Sequence, residues 1–155
     1  MKSRLILTCA VLAITLTISG CLTGPPPHPG QICIEASCDD FMKLPAISDE
    51  LVVVIGDTIT VTLCSNPSTG YQWSEAAQIS DQAVLQQTDH EFVPPPKTVG
   101  CAPPPLGAAG KEIWTFKALK EGESTISMEY SQPWEGGLKA TWTFVLTVHV
   151  MGGRI

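Results

Sequence analysis

The chain has 155 residues, enough for one domain of ordinary size with extensions. It carries 9 basic and 15 acidic residues, a net charge of −6 at neutral pH, and its Lys and Arg residues form no cluster. Because a nucleic-acid-binding protein requires a basic patch, nucleic acid is excluded as a partner, and binding to anionic lipid headgroups is disfavoured as well.

Residues 1–20 are predicted to be a secretory signal peptide that takes no part in the fold. A basic start is followed by an apolar run over 5–18, which is too short for a comfortable membrane span. The residues ISGC at 18–21 resemble a prokaryotic lipobox, in which the cysteine is lipidated and becomes the new N-terminus. This predicts an exported lipoprotein that is held at the membrane or cell surface only through lipid on Cys21. The alternatives are an ordinary cleaved signal and an uncleaved anchor.

Residues 21–43 are predicted to be a lipid-anchored spacer rich in Pro and Gly. The run GPPPHPG at 24–30 favours polyproline II, an extended and semi-rigid conformation. Behind a lipid anchor, such a spacer would hold a domain away from the membrane.

Residues 44–155 are predicted to form one domain that is built from strands. Seven segments have the continuous apolar or alternating pattern of strands, at 51–55, 58–64, 71–75, 84–93, 112–119, 125–130 and 139–150. A helical period is not sustained over a window of about eleven residues. Short strands with turn signals between them indicate a β-sandwich or a β-barrel.

Three loops are expected at one edge, because they follow the second, fourth and sixth predicted strands and alternate loops of a sandwich share one end. We name them the first loop (65–70, SNPSTG), the second loop (106–110, LGAAG) and the third loop (132–137, QPWEGG). Singly, they can be interpreted as a turn, a flexible strand entry and a hairpin connection whose Trp packs on the core. Together they form a convex edge with small residues at its centre and a Trp at its flank, which suits insertion into a cleft.

These segments, in this order, resemble the chagasin family of cysteine peptidase inhibitors. The resemblance covers about 44–150 and rests on NPSTGY at 66–71, GAAG at 107–110 and QPW at 132–134. It implies an all-β fold, an immunoglobulin-like β-sandwich of about seven to eight strands. It further implies reversible inhibition of papain-like cysteine peptidases by a monomer without a cofactor, metal or catalytic residue. The residues implied in peptidase binding are Asn66, Pro67, Ser68, Thr69, Gly70, Tyr71, Leu106, Gly107, Ala108, Ala109, Gly110, Gln132, Pro133 and Trp134.

The resemblance also assigns roles within this set. Thr69 would lie nearest the catalytic Cys–His pair of the peptidase, Trp134 would pack on the cleft wall, and the backbone of 107–110 would lie along the other rim. Ser68 replaces a common Thr, and Ala109 stands where some members have Gly, so the backbone there is less free. Gln132 stands where Arg is usual, so a cation is missing at the rim. Rim charges mainly tune the association rate and its salt dependence, so specificity is expected to differ while inhibition survives.

Two other function classes compete with inhibition. An enzyme is disfavoured because His28, His90 and His149 are not beside a Ser or Cys in sequence, and a G-x-S-x-G motif is absent. An immunoglobulin-like cell-surface binding or adhesion module without peptidase inhibition is the stronger rival, since a fold does not determine a function. Residual papain activity in the presence of the domain would discriminate the two.

Four cysteines lie beyond the signal peptide and the lipobox, namely Cys33, Cys38, Cys64 and Cys101. In an exported domain they favour disulfides, whereas a zinc site would require the paired C-x-x-C spacing that this chain lacks. Cys64 ends the strand that leads into the first loop, and Cys101 lies in the loop that leads to the second. We therefore predict a Cys64–Cys101 disulfide, which leaves Cys33 to pair with Cys38.

Overall fold

The computed structural model describes residues 30–96 and 107–152. Its elements in chain order are β1 (Gln31–Ala36), α1 (Cys38–Lys43), β2 (Ala46–Val54), β3 (Thr58–Ser65), β4 (Gln72–Trp73), β5 (Gln78–Ile79), β6 (Leu85–Val93), β7 (Gly110–Ala118), β8 (Gly122–Ser131) and β9 (Trp142–Met151). No helix in these ranges has the length and apolar character needed to cross a membrane. The predicted signal peptide and Cys21, together with Cys101 and Leu106, lie outside the described residues.

The strands form two sheets that pack face to face. The first sheet has the order β1-β3-β7-β6, and the second sheet has the order β2-β9-β8-β4, with β5 also paired to β8. β1 is parallel to β3 and β2 is parallel to β9, whereas the remaining pairs are antiparallel. The prediction of an all-β sandwich is confirmed, with nine strands in the described part of the chain, two of them only two residues long.

The core follows from the alternation of apolar and polar residues along the long strands. Burial alternates residue by residue along β7, β8 and β9, because successive side chains of a strand point to opposite faces. The inward side chains include Ile59, Val61, Leu63, Trp73, Trp114, Phe116, Ile126, Phe144, Leu146 and Val148. Burying each of the larger ones contributes about 1.5–3 kcal/mol, so this shared core holds the two sheets together.

The domain begins earlier than the sequence predicts. β1 pairs with β3 from Gln31 opposite Thr58 onward, and α1 buries Phe41 completely. The ring of Phe41 lies 5.2 Å from that of Trp73 and 5.1 Å from that of Trp142. The predicted spacer is therefore wrong over 31–43, which are part of the sandwich.

Helix α1 has a complete cap at its N-terminus. The Asp40 backbone N–H donates to Ser37 Oγ over 3.3 Å, and the Ser37 backbone N–H donates to Asp40 Oδ2 over 2.9 Å. This reciprocal capping box satisfies two amides that would otherwise lack a partner. The hydrogen bonds from Ser37 also lower the pKa of Asp40, because they stabilise its charged form.

The disulfide pairing differs from the prediction. Cys38 is bonded to Cys64, with 5.1 Å between their Cα atoms, so the predicted Cys64–Cys101 and Cys33–Cys38 pairs are wrong. The parallel pairing of β1 with β3 is the cause, because it places Cys38 beside the end of β3, where Cys64 lies. Cys33 instead lies within β1 opposite Thr60, exposed and without a disulfide in the described structure.

The topology determines where the three loops emerge. β3 ends where β7 begins, since Ser65 pairs with Gly110, and β8 ends where β9 begins, since Tyr130 pairs with Trp142. The Asn66 N–H, directly after β3, donates to the hydroxyl of Tyr130 near the end of β8. The three loops therefore leave the sandwich at the same end, which we call the loop end. β1 starts at the opposite end, beside the start of β3.

Candidate functional site

The first loop is a tight turn closed by its own backbone. Pro67–Thr69 form one turn of 3-10 helix, in which the Thr69 N–H donates to Asn66 O over 3.1 Å and the Gly70 N–H donates to Pro67 O over 3.0 Å. Pro67 has its φ fixed by its ring, and Gly70 takes a φ of +81°, which residues with a side chain rarely adopt. The sequence N-P-S-T-G thus encodes both the entry and the exit of this turn.

Hydroxyl groups at the tip are engaged within the first loop. Ser68 Oγ donates to Asn66 Oδ1 over 2.6 Å, and Thr69 Oγ1 donates to Asn66 O over 2.7 Å. Pro67, Ser68 and Thr69 are nevertheless exposed. The tip is therefore a narrow surface of small side chains whose hydroxyl protons already have acceptors.

The base of the first loop is attached to the second sheet. The Asn66 N–H donates to the Tyr130 hydroxyl over 2.9 Å, and the Tyr71 ring stacks on the Tyr130 ring at 5.5 Å. The Trp73 indole N–H donates to Cys64 O over 2.8 Å from within the core. These contacts fix the first loop both where the chain enters it and where the chain leaves it.

The second loop lies directly against the first. Asn66 Nδ2 donates to Gly107 O over 2.8 Å, which ties the two loops side by side. At Gly110, where β7 begins, an added Cβ would come within 2.9 Å of the Phe92 ring. Because the end of β6 lies this close to the backbone of residue 110, this position requires glycine.

Trp134 of the third loop covers the other side of the first loop. A Cβ added to Gly70 would lie 2.8 Å from Trp134 Cη2, so the indole rests on the bare backbone of that glycine. Trp134 is still 50% exposed. Its partial burial differs from the interpretation that this Trp packs on the core.

The third loop is closed by a backbone hydrogen bond and by side chains from its two ends. The Gln132 N–H donates to Leu138 O over 2.8 Å, and the Leu138 N–H donates to Gln132 Oε1 over 2.9 Å. The Lys139 ammonium donates to Gln132 O and, over 3.1 Å, to Trp134 O. A cation is therefore present beside the third loop, supplied by Lys139, although position 132 lacks one.

A buried carboxylate connects the first loop to the first sheet. Ser65 Oγ donates to Glu112 Oε1 over 2.7 Å, and His90 Nε2 lies 2.9 Å from Glu112 Oε2. The His90 ring stacks on Trp114 at 4.8 Å between centroids. The Ser65 proton goes to a carboxylate and not to an imidazole, so this cluster lacks the geometry that activates a serine nucleophile.

A model of one protein family, "Chagasin family peptidase inhibitor I42", matches residues 52–148. This chain belongs to the chagasin family. Amoebiasin-2 of Entamoeba histolytica is 34% identical to it over 91 residues, which cover 56% of this chain and 65% of that protein. Chagasin of Trypanosoma cruzi is 26% identical over 88 residues, which cover 56% of this chain and 74% of that protein. The chain thus spans slightly less than two thirds of the length of amoebiasin-2.

A solved structure agrees with this membership at the level of the fold. The crystal structure of a cysteine protease inhibitor from Entamoeba histolytica matches with a TM-score of 0.59 at 22% identity, covering 80% of this chain and 100% of that one. The predicted family and fold class are therefore confirmed. Because the family is one of peptidase inhibitors, the prediction that this chain is no enzyme is confirmed with them.

The loop end of this chagasin-family chain brings together the predicted binding residues that the structure describes, from all three loops. Sequence reasoning missed α1 beside them, the Lys139 ammonium and the Glu112 cluster. The strand period of QICIEA and the S-x-x-D cap signal before α1 could have revealed the N-terminal elements. Within residues 30–96 and 107–152, no group of three or more metal-ligating side chains is found.

Proposed function

We propose that this chagasin-family protein reversibly inhibits papain-like cysteine peptidases by placing the first loop in the active-site cleft, with the second and third loops on its rims. The observation that carries this proposal is the clamping of the first loop, held by Asn66 against Gly107 on one side and by Gly70 against Trp134 on the other. A loop that is ordered before binding loses little conformational entropy on binding.

The shape of the tip supports inhibition without turnover. The carbonyl groups of Asn66 and Pro67 already accept hydrogen bonds from the turn. The turn would have to open before this segment could lie extended in a cleft as a substrate does. A closed turn of small residues can therefore occupy the cleft while resisting hydrolysis.

Trp134 supplies the anchor on one rim. Its indole is held on one side by Gly70 and remains half-exposed on the rest of its surface. A Trp of this kind offers a large contact area with few rotatable bonds, which is the profile of a binding hot spot. The Lys139 ammonium places a positive charge near Trp134, and this charge favours association of the protein with acidic clefts.

The test is a titration of papain with the purified protein. Papain is activated and then freed of reductant, so that the Cys38–Cys64 disulfide stays closed. We expect activity to fall to zero near equimolar ratio while the inhibitor stays intact on a gel. Steady cleavage between Asn66 and Tyr71 would contradict the proposal. A folded protein without effect at micromolar concentration would favour the adhesion module instead.

We also propose that the protein is an exported monomeric lipoprotein, anchored through Cys21. The topology supports this, because the chain enters β1 at the end opposite the loops. Of the spacer predicted over 21–43, residues 22–29 would reach roughly 25 Å if they adopt polyproline II, which would leave the loop end facing away from the membrane. Detergent partitioning of the protein against a Cys21→Ser variant tests the anchor, since only the lipidated form enters the detergent phase.

A further inference from the structure

A groove of about 420 Å³ lies at the loop end between helix α1 and the first two loops. Cys38 and Met42 line it from α1, while Asn66, Thr69 and Gly107 line it from the loops. The residues described around this groove carry no charged side chain. Its chemistry therefore favours an apolar guest.

Aromatic rings give the groove a rigid lining. Tyr71, Tyr130 and Trp142 all contribute to it. The Tyr71 and Tyr130 rings are stacked 5.5 Å apart, and the Tyr130 and Trp142 rings are stacked 4.9 Å apart. A row of stacked rings resists deformation, so the groove keeps its shape without a guest.

Met42 is exposed but its position is determined. Its side chain is 69% exposed, on a helix of only six residues. That helix is fixed by the burial of Phe41 and by the disulfide from Cys38 to Cys64. Cys38 and Met42 are four residues apart and share a helix face, so the disulfide points this face at the base of the first loop.

We propose that α1 is a fourth contact element of the peptidase-binding edge, in which Met42 and the groove receive an apolar side chain from the rim of the peptidase cleft. This inference rests on the proposed function. Thr69 is both the tip of the first loop and part of the groove lining, so a cleft that admits Thr69 brings its rim over the groove. Met adapts its shape to apolar partners, which suits it to rims of differing sequence.

The experiment compares two methionines at opposite ends of the sandwich. Met42→Glu is measured beside Met151→Glu, whose side chain is 57% exposed at the far end of β9. The readouts are the inhibition constant against papain and the melting temperature. We expect Met42→Glu to raise the inhibition constant about tenfold, which corresponds to about 1.4 kcal/mol, and Met151→Glu to leave it unchanged. Met42→Leu should restore inhibition, because it restores an apolar side chain.

Each other outcome overturns the inference in a recognisable way. If Met42→Glu inhibits papain as well as the wild type does, α1 makes no contact and the three-loop function stands alone. If Met42→Glu lowers only the melting temperature, the guest in the groove is a segment of this chain, such as 97–106, and not the peptidase. If the wild type itself fails to inhibit, the proposed function and this inference fall together.

Discussion

The first and third loops lie side by side at the loop end, yet they are held by different means. The first loop is closed by backbone hydrogen bonds and attached from below through Asn66 to Tyr130. The third loop has backbone bonds of its own, such as that from the Gln132 N–H to Leu138 O, but it also depends on exposed hydrogen bonds made by the side chains of Gln132 and Lys139, which water can replace. Changes in the first loop should therefore alter fold and binding together, whereas changes in the third loop should alter binding alone.

The largest effect is expected from Gly70→Ala, which would disturb both loops at once. The added methyl group would meet Trp134 at 2.8 Å, and the φ of +81° is unfavourable for Ala by about 1–2 kcal/mol. We expect inhibition of papain to weaken about 100-fold, equivalent to about 2.7 kcal/mol. Gly56→Ala is the matched control, since Gly56 has a φ of +93° at the opposite end and no atom near its Cβ position. If both variants lose inhibition equally, general destabilisation is responsible and not the contact with Trp134.

Trp134→Ala separates binding from folding in the third loop. Because the indole is half-exposed and rests on Gly70, we expect the free energy of binding to papain to weaken by about 2 kcal/mol, with little change in melting temperature. Inhibition kinetics and thermal unfolding of the same preparation provide the comparison. A large drop in melting temperature with unchanged inhibition would assign Trp134 to the core.

Glu112→Ala tests how the first loop depends on the first sheet. Removal of the carboxylate leaves Ser65 Oγ without its acceptor and His90 without its partner, at a site where Glu112 is only 6% exposed. In urea, the free energy of unfolding of Glu112→Ala should fall by about 1 to 2 kcal/mol. It should fall less for Glu112→Gln, which keeps an acceptor. Equal stability of the Ala and Gln variants would mean that the Ser65 hydrogen bond contributes nothing.

The smallest effect is expected from Gln132→Arg. The new cation should speed association with an acidic peptidase about two- to threefold at low salt, and the gain should fade as the Debye length shortens to about 8 Å. The fold should change little, because the lost bond to the Leu138 N–H is exposed. Stopped-flow association at two salt concentrations measures this. An on-rate unchanged at low salt would place Gln132 away from the binding rim.

The loop end was predictable because its signals are local. Pro67 and Gly70 determine a turn by their own φ preferences, and alternating strands on either side assign each loop to an end of the sandwich. The sequence predicted that Trp134 lies at the loop end. It did not predict that the indole rests on Gly70, because sequence spacing does not reveal this contact.

The N-terminal elements gave weaker sequence signals. β1 and α1 have six residues each, so the alternation of QICIEA and the cap signal of α1 are short and follow directly on a proline-rich segment. The Cys38–Cys64 disulfide depends on the parallel pairing of β1 with β3, which nothing local in the sequence encodes. Three pairings of four cysteines were possible, and only the tertiary structure distinguishes them.

The parallel pairing of β2 with β9 has a consequence for when this protein can fold. It joins Ala46 to Thr143 and Val54 to Met151, so β2 has no partner along this edge until the last strand is present. Contacts between segments so distant in the chain form slowly, because the entropy of closing the loop is lost before the contacts form. For the export proposed above, a chain that crosses a membrane N-terminus first would keep its second sheet open until β9 had followed, and would therefore remain unfolded for most of its passage.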